Sequence, residues 1–266
     1  MQAEEGAPEN LWKTEWTSDL TFAYTGVDNW VKSGTNQLNA IWYNDMRFIY
    51  SKGKSKWRTT NVYTLSFARV NNQRSQKTDD LLEFESMYTR KVMELFNPYA
   101  AMTVKTQLFP GFEYTDDGDI MINSTLFDPG YVTQSTGFSH HLNNVLVNRL
   151  GISLKETFAQ RYAKELLGDT TKSVKAELGM EFVSDYKQKF GDWLELKSKL
   201  ELFSELAQVE QINLKEIDVR WNNYWAFRLK KILTLQIQLT VLYDRDLSAK
   251  RQVRGTATFG VYYTIF

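Results

Sequence analysis

Twelve stretches of this chain alternate apolar with polar residues, and no other feature limits its fold so severely. The clearest is WLELKSKLELFSEL, Trp193 to Leu206. Leu194, Leu196, Leu200, Leu202 and Leu206 share one face with Ser198 and Ser204, while Glu195, Lys197, Lys199, Glu201 and Glu205 share the other with Phe203. A period of two is that of a strand with two unlike faces; a helix would scatter these residues around its circumference. The same sorting recurs at about 13–25, 37–51, 57–70, 81–93, 99–109, 131–141, 145–156, 172–186, 193–206, 216–229, 233–244 and 253–266.

The connections alternate in length. Short polar turns fall at KGKSK (52–56), LFNPY (95–99), LNN (142–144), YKQKFGD (186–192) and LKKI (229–232), and longer loops at 26–36, 71–80, 110–130, 157–171, 207–215 and 245–252. An even-stranded up-and-down barrel gathers its short turns and both termini at one end and its long loops at the other. The spacing therefore predicts an all-β chain: one closed, up-and-down antiparallel transmembrane barrel of about twelve strands over residues 13–266, behind a periplasmic amino-terminal segment, 1–12. The opening MQAEEGAPEN lacks a basic and an apolar region, and reads as a mature terminus whose export signal has been removed.

No stretch approaches the roughly 18–20 apolar residues of a membrane helix. A mean hydropathy of −0.44 is no obstacle, because a barrel strand averages a lipid face with a lumen face. A soluble sheet of this size needs a second layer over each apolar face, and only ETFAQRYAKELLGD offers a candidate amphipathic helix. Aromatics beside the short turns (Tyr50, Trp57, Tyr99, Tyr186, Trp193) suit a membrane–water interface. The last stretch, GTATFGVYYTIF, alternates to its final residue; closure pairs it with the first strand, and its aromatic ending, Tyr263 and Phe266, resembles the signal read by barrel assembly machinery.

Parity sends Arg47, Glu83, Glu85, Lys91, Lys105, Arg149 and Lys175 to the lumen. It sends Glu177, Glu181, Lys197, Lys199, Glu201, Arg220, Arg228 and Arg254 there too. If these charges pair across strands, they plug the barrel; if they separate onto opposite walls, they set up the transverse field of a selective pore. A continuous inner ladder of Glu181, Lys197, Lys199, Glu201 and Arg220 is expected from the turn at 187–192 and the loop at 207–215.

Catalytic and metal-binding signals are weak. The two histidines, His140 and His141, are adjacent and so point to opposite faces, and Ser139 beside them is the sole sequence-local nucleophile. DDGD at 116–119 lacks calcium-loop spacing and reads as a solvated acidic loop. NYWAFRLKK mixes basic and aromatic residues, but parity turns Trp225 and Phe227 to lipid, and 32 basic against 32 acidic residues give no global case for nucleic acid. No cofactor, metal or catalytic residue is expected.

Five stretches together resemble a family of uncharacterised Bacteroidota outer-membrane barrels, a domain family of unknown function. They are NWVKSGTNQLN, KTDD (77–80), TQLFPGFEY (106–114), LFDPGYVTQSTGF (126–138) and VLYDRD (241–246). The resemblance implies the barrel fold and the bacterial outer membrane, and supplies no catalytic residue. Two functional classes follow: a narrow, porin-like pore for small polar solutes through a charged lumen, and a structural or accessory subunit of a larger outer-membrane complex. A membrane-embedded lipid hydrolase is a remote third. The expected partners are outer-membrane lipid, the assembly machinery, and other outer-membrane proteins or lipoproteins.

Overall fold

The computed structural model describes residues 11–25, 37–71, 74–114, 120–143, 145–160, 171–206, 217–230, 232–244 and 250–264. Strands β1 to β5 are Trp12–Thr25, Gln37–Lys52, Ser55–Val70, Gln76–Arg90 and Asn97–Thr106. A small hairpin follows, β6 (Gly111–Tyr114) and β7 (Ile120–Ser124). Strands β8 to β14 are Gly130–Leu142, Leu146–Phe158, Val174–Phe190, Leu194–Glu205, Asp218–Arg228, Leu233–Tyr243 and Gln252–Thr264. All but β6 and β7 form one closed ring of twelve antiparallel strands, in which β14 pairs with β1 and β5 pairs directly with β8.

Each of the twelve alternating stretches is thus a barrel strand. The short turns owe their tightness to local chemistry: Gly53 and Gly191 carry positive φ angles of 56° and 59°, a conformation that needs no Cβ, between Lys52↔Ser55 and Phe190↔Leu194. At the seam, Gly260 of β14 lies opposite Thr21 of β1. A Cβ there would come within 2.4 Å of the Leu20 carbonyl oxygen, so only glycine lets the two strands approach this closely.

The two faces are sorted in the reverse of a soluble protein. Outside, Leu20, Phe22, Trp42, Phe138, Leu150, Ile152, Leu178 and Phe259 are exposed; inside, Asp19, Asp45, Glu85, Arg149, Glu181 and Glu195 are buried. Water would penalise this arrangement on both sides, whereas a hydrocarbon exterior makes it stable. The chain is therefore a transmembrane barrel; no helix among the described residues is long and apolar enough to cross a membrane. An aromatic girdle surrounds the short-turn end: Trp12 packs on Tyr50 at 5.0 Å, Trp57 on Tyr88 at 6.3 Å and Trp193 on Phe227 at 6.4 Å.

Three outward tryptophans solve a problem that lipid poses. Each indole N–H donates to a serine on the neighbouring strand, Trp42 to Ser18 (3.1 Å), Trp57 to Ser86 (2.8 Å) and Trp221 to Ser198 (3.0 Å). The geometry repeats, because each serine faces the residue two beyond the tryptophan: Asn44, Thr59 and Asn223. A donor that water cannot reach is satisfied within the wall.

Several expectations are corrected. The expected loop 110–130 contains the β6–β7 hairpin, whose strands of four and five residues are too short to show a period. Strand β10 continues to Phe190, through most of the expected turn at 186–192, since Lys187, Gln188 and Lys189 are polar on both faces and give no signal of an end. Lys91 lies beyond the end of β4 and is exposed in a turn. Tyr99 is buried on the inner face beneath the Arg149 guanidinium, 5.9 Å from the ring centroid, and is no part of the girdle. Gly151 makes room for it, since a Cβ there would meet the Tyr99 hydroxyl at 2.6 Å. The candidate helix begins instead as the end of β9, Glu156 to Phe158, and its residues 161–169, residues 116–119, Phe266 and the Tyr263 side chain lie outside the described residues, though the Tyr263 backbone pairs with Ser18.

Candidate functional site in the barrel interior

The interior is built by parity, strand by strand, and its contacts join strands that are not neighbours. In the ring, β11 and β2 are separated by four strands on one side and six on the other. Yet Lys197 Nζ of β11 lies 2.7 Å from Asp45 Oδ2 of β2. Lys199 pairs with Glu83 and, at 3.4 Å, with Glu85, both on β4. Arg58 of β3 reaches Asp185 of β10 at 3.3 Å, and Lys187 of β10 reaches Glu15 of β1 at 3.1 Å. Such bridges pass through the lumen.

Each of the remaining expected lumen residues has a definite place. Arg47 pairs with Asp45 at 3.1 Å, Lys105 with Glu201 at 2.6 Å and Glu83 at 3.6 Å, and Arg228 with Glu195 at 2.7 Å. Arg149, fully enclosed, holds Glu85 at 2.9 Å and Glu181 at 3.3 Å. Lys155 gathers Asp218 at 2.8 Å and Glu177 at 3.8 Å, and Lys175 pairs with Glu177 at 3.1 Å. Arg254 stands half-exposed at the long-loop rim and bridges to Asp79 of β4. Arg220 makes no ion pair within 4 Å among the described residues.

The expected ladder is not formed. Glu181 lies opposite Phe203, not Lys197 or Lys199, and bonds to Arg149 and to the Ser135 hydroxyl at 3.1 Å. Lys197 lies opposite Lys187, a like-charge pair relieved by Glu15, Glu195 and Asp45. The cause is the longer β10, which places the turn at 191–193 and carries the partner of Glu181 past Lys197 and Lys199 to Phe203. Only Glu201 and Arg220 remain opposite, as expected.

Above the plane of these bridges, towards the long loops, a cavity of about 580 Å³ remains. Its walls differ. From β2 and β4 come Asp45, Asp79, Asp80, Glu83 and Glu85, with Arg47 as their one cation; from β12 to β14 come Arg220, Asn222, Gln238, Gln252 and Arg254, with no carboxylate. The field between them is spanned at the floor by Lys197 and Lys199 and at the rim by Arg254. A second cavity of about 140 Å³ adjoins it, sharing Tyr131, Arg220 and Leu242.

The stretches KTDD, TQLFPGFEY and LFDPGYVTQSTGF meet at this rim. The Asp80 carboxylate accepts the backbone N–H groups of Leu108 (3.1 Å) and Phe109 (2.8 Å) and the Lys77 ammonium (2.7 Å). Gln107 donates to the Thr125 carbonyl at 2.6 Å, and the Phe127 N–H donates to Thr106 at 2.8 Å. The knot ties the base of the β6–β7 hairpin to β4.

His140 points outward beside Phe96, and His141 points inward, where its Nε2 lies 3.2 Å from the Ser139 hydroxyl. The pairing is between residues two apart, on one face, which reasoning from adjacent residues misses. Ser139 is wholly enclosed, so no substrate reaches it. Among the described residues no group of three or more metal-ligating side chains is assembled. Asp45, Arg58, Lys155 and Asp185 are further members of the interior network; strand parity, applied to β2, β3, β9 and β10, was the signal that reaches them.

With this geometry in hand, comparison with known proteins adds little beyond shape. A family model described as a protein of unknown function (DUF3078) matches residues 22–112, which include two of the five stretches quoted above and most of a third, TQLFPGFEY. No curated protein matches. Among solved structures, the translocator domain of the autotransporter NalP from Neisseria meningitidis is 8% identical over 94% of this chain and 86% of its own, with a TM-score of 0.43. An outer membrane channel from Pseudomonas putida F1 is 8% identical over 98% and 99%, with a TM-score of 0.42. OmpF of Salmonella typhi, in complex with daunomycin, is 9% identical over 96% and 97%, with a TM-score of 0.32. These likenesses are too slight to carry a function.

Proposed function

We propose that this protein is a plugged barrel of the bacterial outer membrane, a structural or accessory member of an outer-membrane assembly, which does not conduct solutes in its resting state. One observation carries the reading: ion pairs between opposite walls, Lys197–Asp45, Lys199–Glu83 and Arg58–Asp185, occupy the lumen where a pore would run. Each bridge immobilises two long side chains in the passage, and charges screened little by solvent hold it closed. The resemblance in its loop-end stretches supports a source among the Bacteroidota, and the assembly's other members would be outer-membrane proteins or lipoproteins.

A second reading, a narrow selective pore for small polar solutes, draws on the unequal walls of the larger cavity. Reconstitution into planar bilayers separates the two. The plugged reading expects negligible single-channel conductance from the native protein and a clear conductance from Lys197→Ala with Lys199→Ala, which removes two bridges at the floor. Steady conductance from the native protein would make the pore primary. Recovery of a stoichiometric partner by pull-down in mild detergent would support the accessory role.

A further inference from the structure

At the short-turn end, a row of cations lies directly beyond the aromatic girdle. Tyr50, Trp57 and Tyr88 stand opposite one another on β2, β3 and β4, and two positions farther along the same strands Lys52, Ser55 and Arg90 do the same. Side chains two apart share a face, so the second row turns outward like the first. Lys52 and Arg90 are exposed, and the Ser55 hydroxyl between them lies 2.9 Å from the Tyr88 hydroxyl. The two adjoining turns are tied together, since the Lys91 N–H donates to the Lys54 carbonyl at 2.7 Å. Over 52–56 and 90–97 they carry Lys52, Lys54, Lys56, Arg90 and Lys91 against a single carboxylate, Glu94, in a chain whose net charge is zero.

The girdle fixes the depth of this row. Its rings mark the edge of the hydrocarbon, and two residues of strand advance about 6.8 Å beyond them, into the headgroup layer where lipid phosphates lie. A guanidinium fork, an ammonium and a hydroxyl in line match phosphate oxygens. The β4–β5 turn says what the phosphate is attached to. Val92, Met93, Leu95 and Phe96 are exposed there, and the Phe96 ring lies 6.5 Å from that of the outward His140, so apolar surface continues from the lipid-facing wall into the turn. Cations interleaved with exposed apolar side chains suit the boundary between headgroups and acyl chains. We propose that the row of Lys52, Ser55 and Arg90 seats the phosphate of an anionic phospholipid from the leaflet at the short-turn end, its acyl chains against Trp57 and Tyr88. The proposal goes beyond the plugged-barrel reading and does not depend on it, because the row lies on the outer wall.

Native mass spectrometry of the detergent-solubilised full chain tests it, with dioleoyl phosphatidylglycerol as the probe and dioleoyl phosphatidylcholine as its zwitterionic counterpart. Glycerol 3-phosphate and polyglutamate serve as competitors. The site predicts a bound phosphatidylglycerol held about tenfold more tightly than phosphatidylcholine, and the loss of that preference in Lys52→Gln with Arg90→Gln. Lys189→Gln with Lys230→Gln removes the same charge from exposed positions in other turns at this end and should keep the preference. Heat-modifiable migration of each variant reports whether it has folded. The proposal is overturned if the two lipids bind equally, if the folded Lys52 and Arg90 variant retains the preference, or if the Lys189 and Lys230 variant loses as much of it, which would mean diffuse attraction. Displacement by glycerol 3-phosphate would overturn it in favour of a free phosphate, and displacement by polyglutamate in favour of an acidic protein.

Discussion

Arg149 shows what a single interior residue does in this barrel. It is buried, lies over the Tyr99 ring, and is shared between Glu85 and Glu181. Its removal has unequal effects on the two acids, since Glu85 keeps Arg58 at 3.0 Å and Lys199 at 3.4 Å whereas Glu181, among the described residues, keeps the Ser135 hydroxyl alone. Breaking a buried pair by deleting one partner costs on the order of 3–5 kcal/mol. Arg149→Met should lower the urea midpoint of the detergent-solubilised barrel accordingly, and adding Glu181→Gln should restore part of the loss by removing the stranded charge. If the double variant were no more stable than the single one, Glu181 would not be the group left exposed to the deficit. The sequence disclosed that Arg149 and Glu181 share a face. It did not disclose that Tyr99 joins them, because an aromatic two residues from a turn suits either face.

At the scale of elements, the long-loop rim is held by backbone hydrogen bonds to one carboxylate. Asp80 orders the β5–β6 connection through the Leu108 and Phe109 amides, and a charged acceptor strengthens such bonds. Asp80→Ala should free that connection without opening the barrel. Protease added to intact cells is then expected to cut within residues 107–129 many times faster than in the native protein, with heat-modifiable migration unchanged; equal cutting rates would show that the hairpin is held by something else. Period-two patterning located all twelve barrel strands, because each is long enough to repeat its pattern several times. It passed over β6 and β7, and it ended β10 early, for the same reason: a short or uniformly polar strand has no contrast between faces.

At the scale of the molecule, closure depends on the seam between the first and last strands. Gly260→Val puts a branched side chain where Thr21 and the Leu20 carbonyl already lie, and the backbones must separate. The expected result is loss of the heat-modifiable, closed form, while Gly255→Val, at a position open to surrounding space, should leave it intact. An unaltered closed fraction in Gly260→Val would mean that the seam tolerates a wider spacing. The closed ring was legible from strand count and turn alternation. Which wall faces which was not: Lys197 and Asp45 are 152 residues apart, and parity assigns a face to each strand without measuring the distance across the lumen.

The long sequence separation of the interior bridges has a consequence for how the barrel is made. Asp45 and Glu83 enter the growing sheet on its second and fourth strands, and their cross-lumen cations belong to the eleventh element in chain order. Lys105 on β5 is at hand for Glu83 early, at 3.6 Å, and Arg47 for Asp45, so the half-built sheet is not left with bare charges. The second partner of each arrives only when β11 curls over to face β2 and β4, and non-local contacts of this kind form late. Completion of the network therefore coincides with the sheet bending into a tube, so that the cross-lumen share of the electrostatic gain is withheld from the open sheet and delivered to the finished wall.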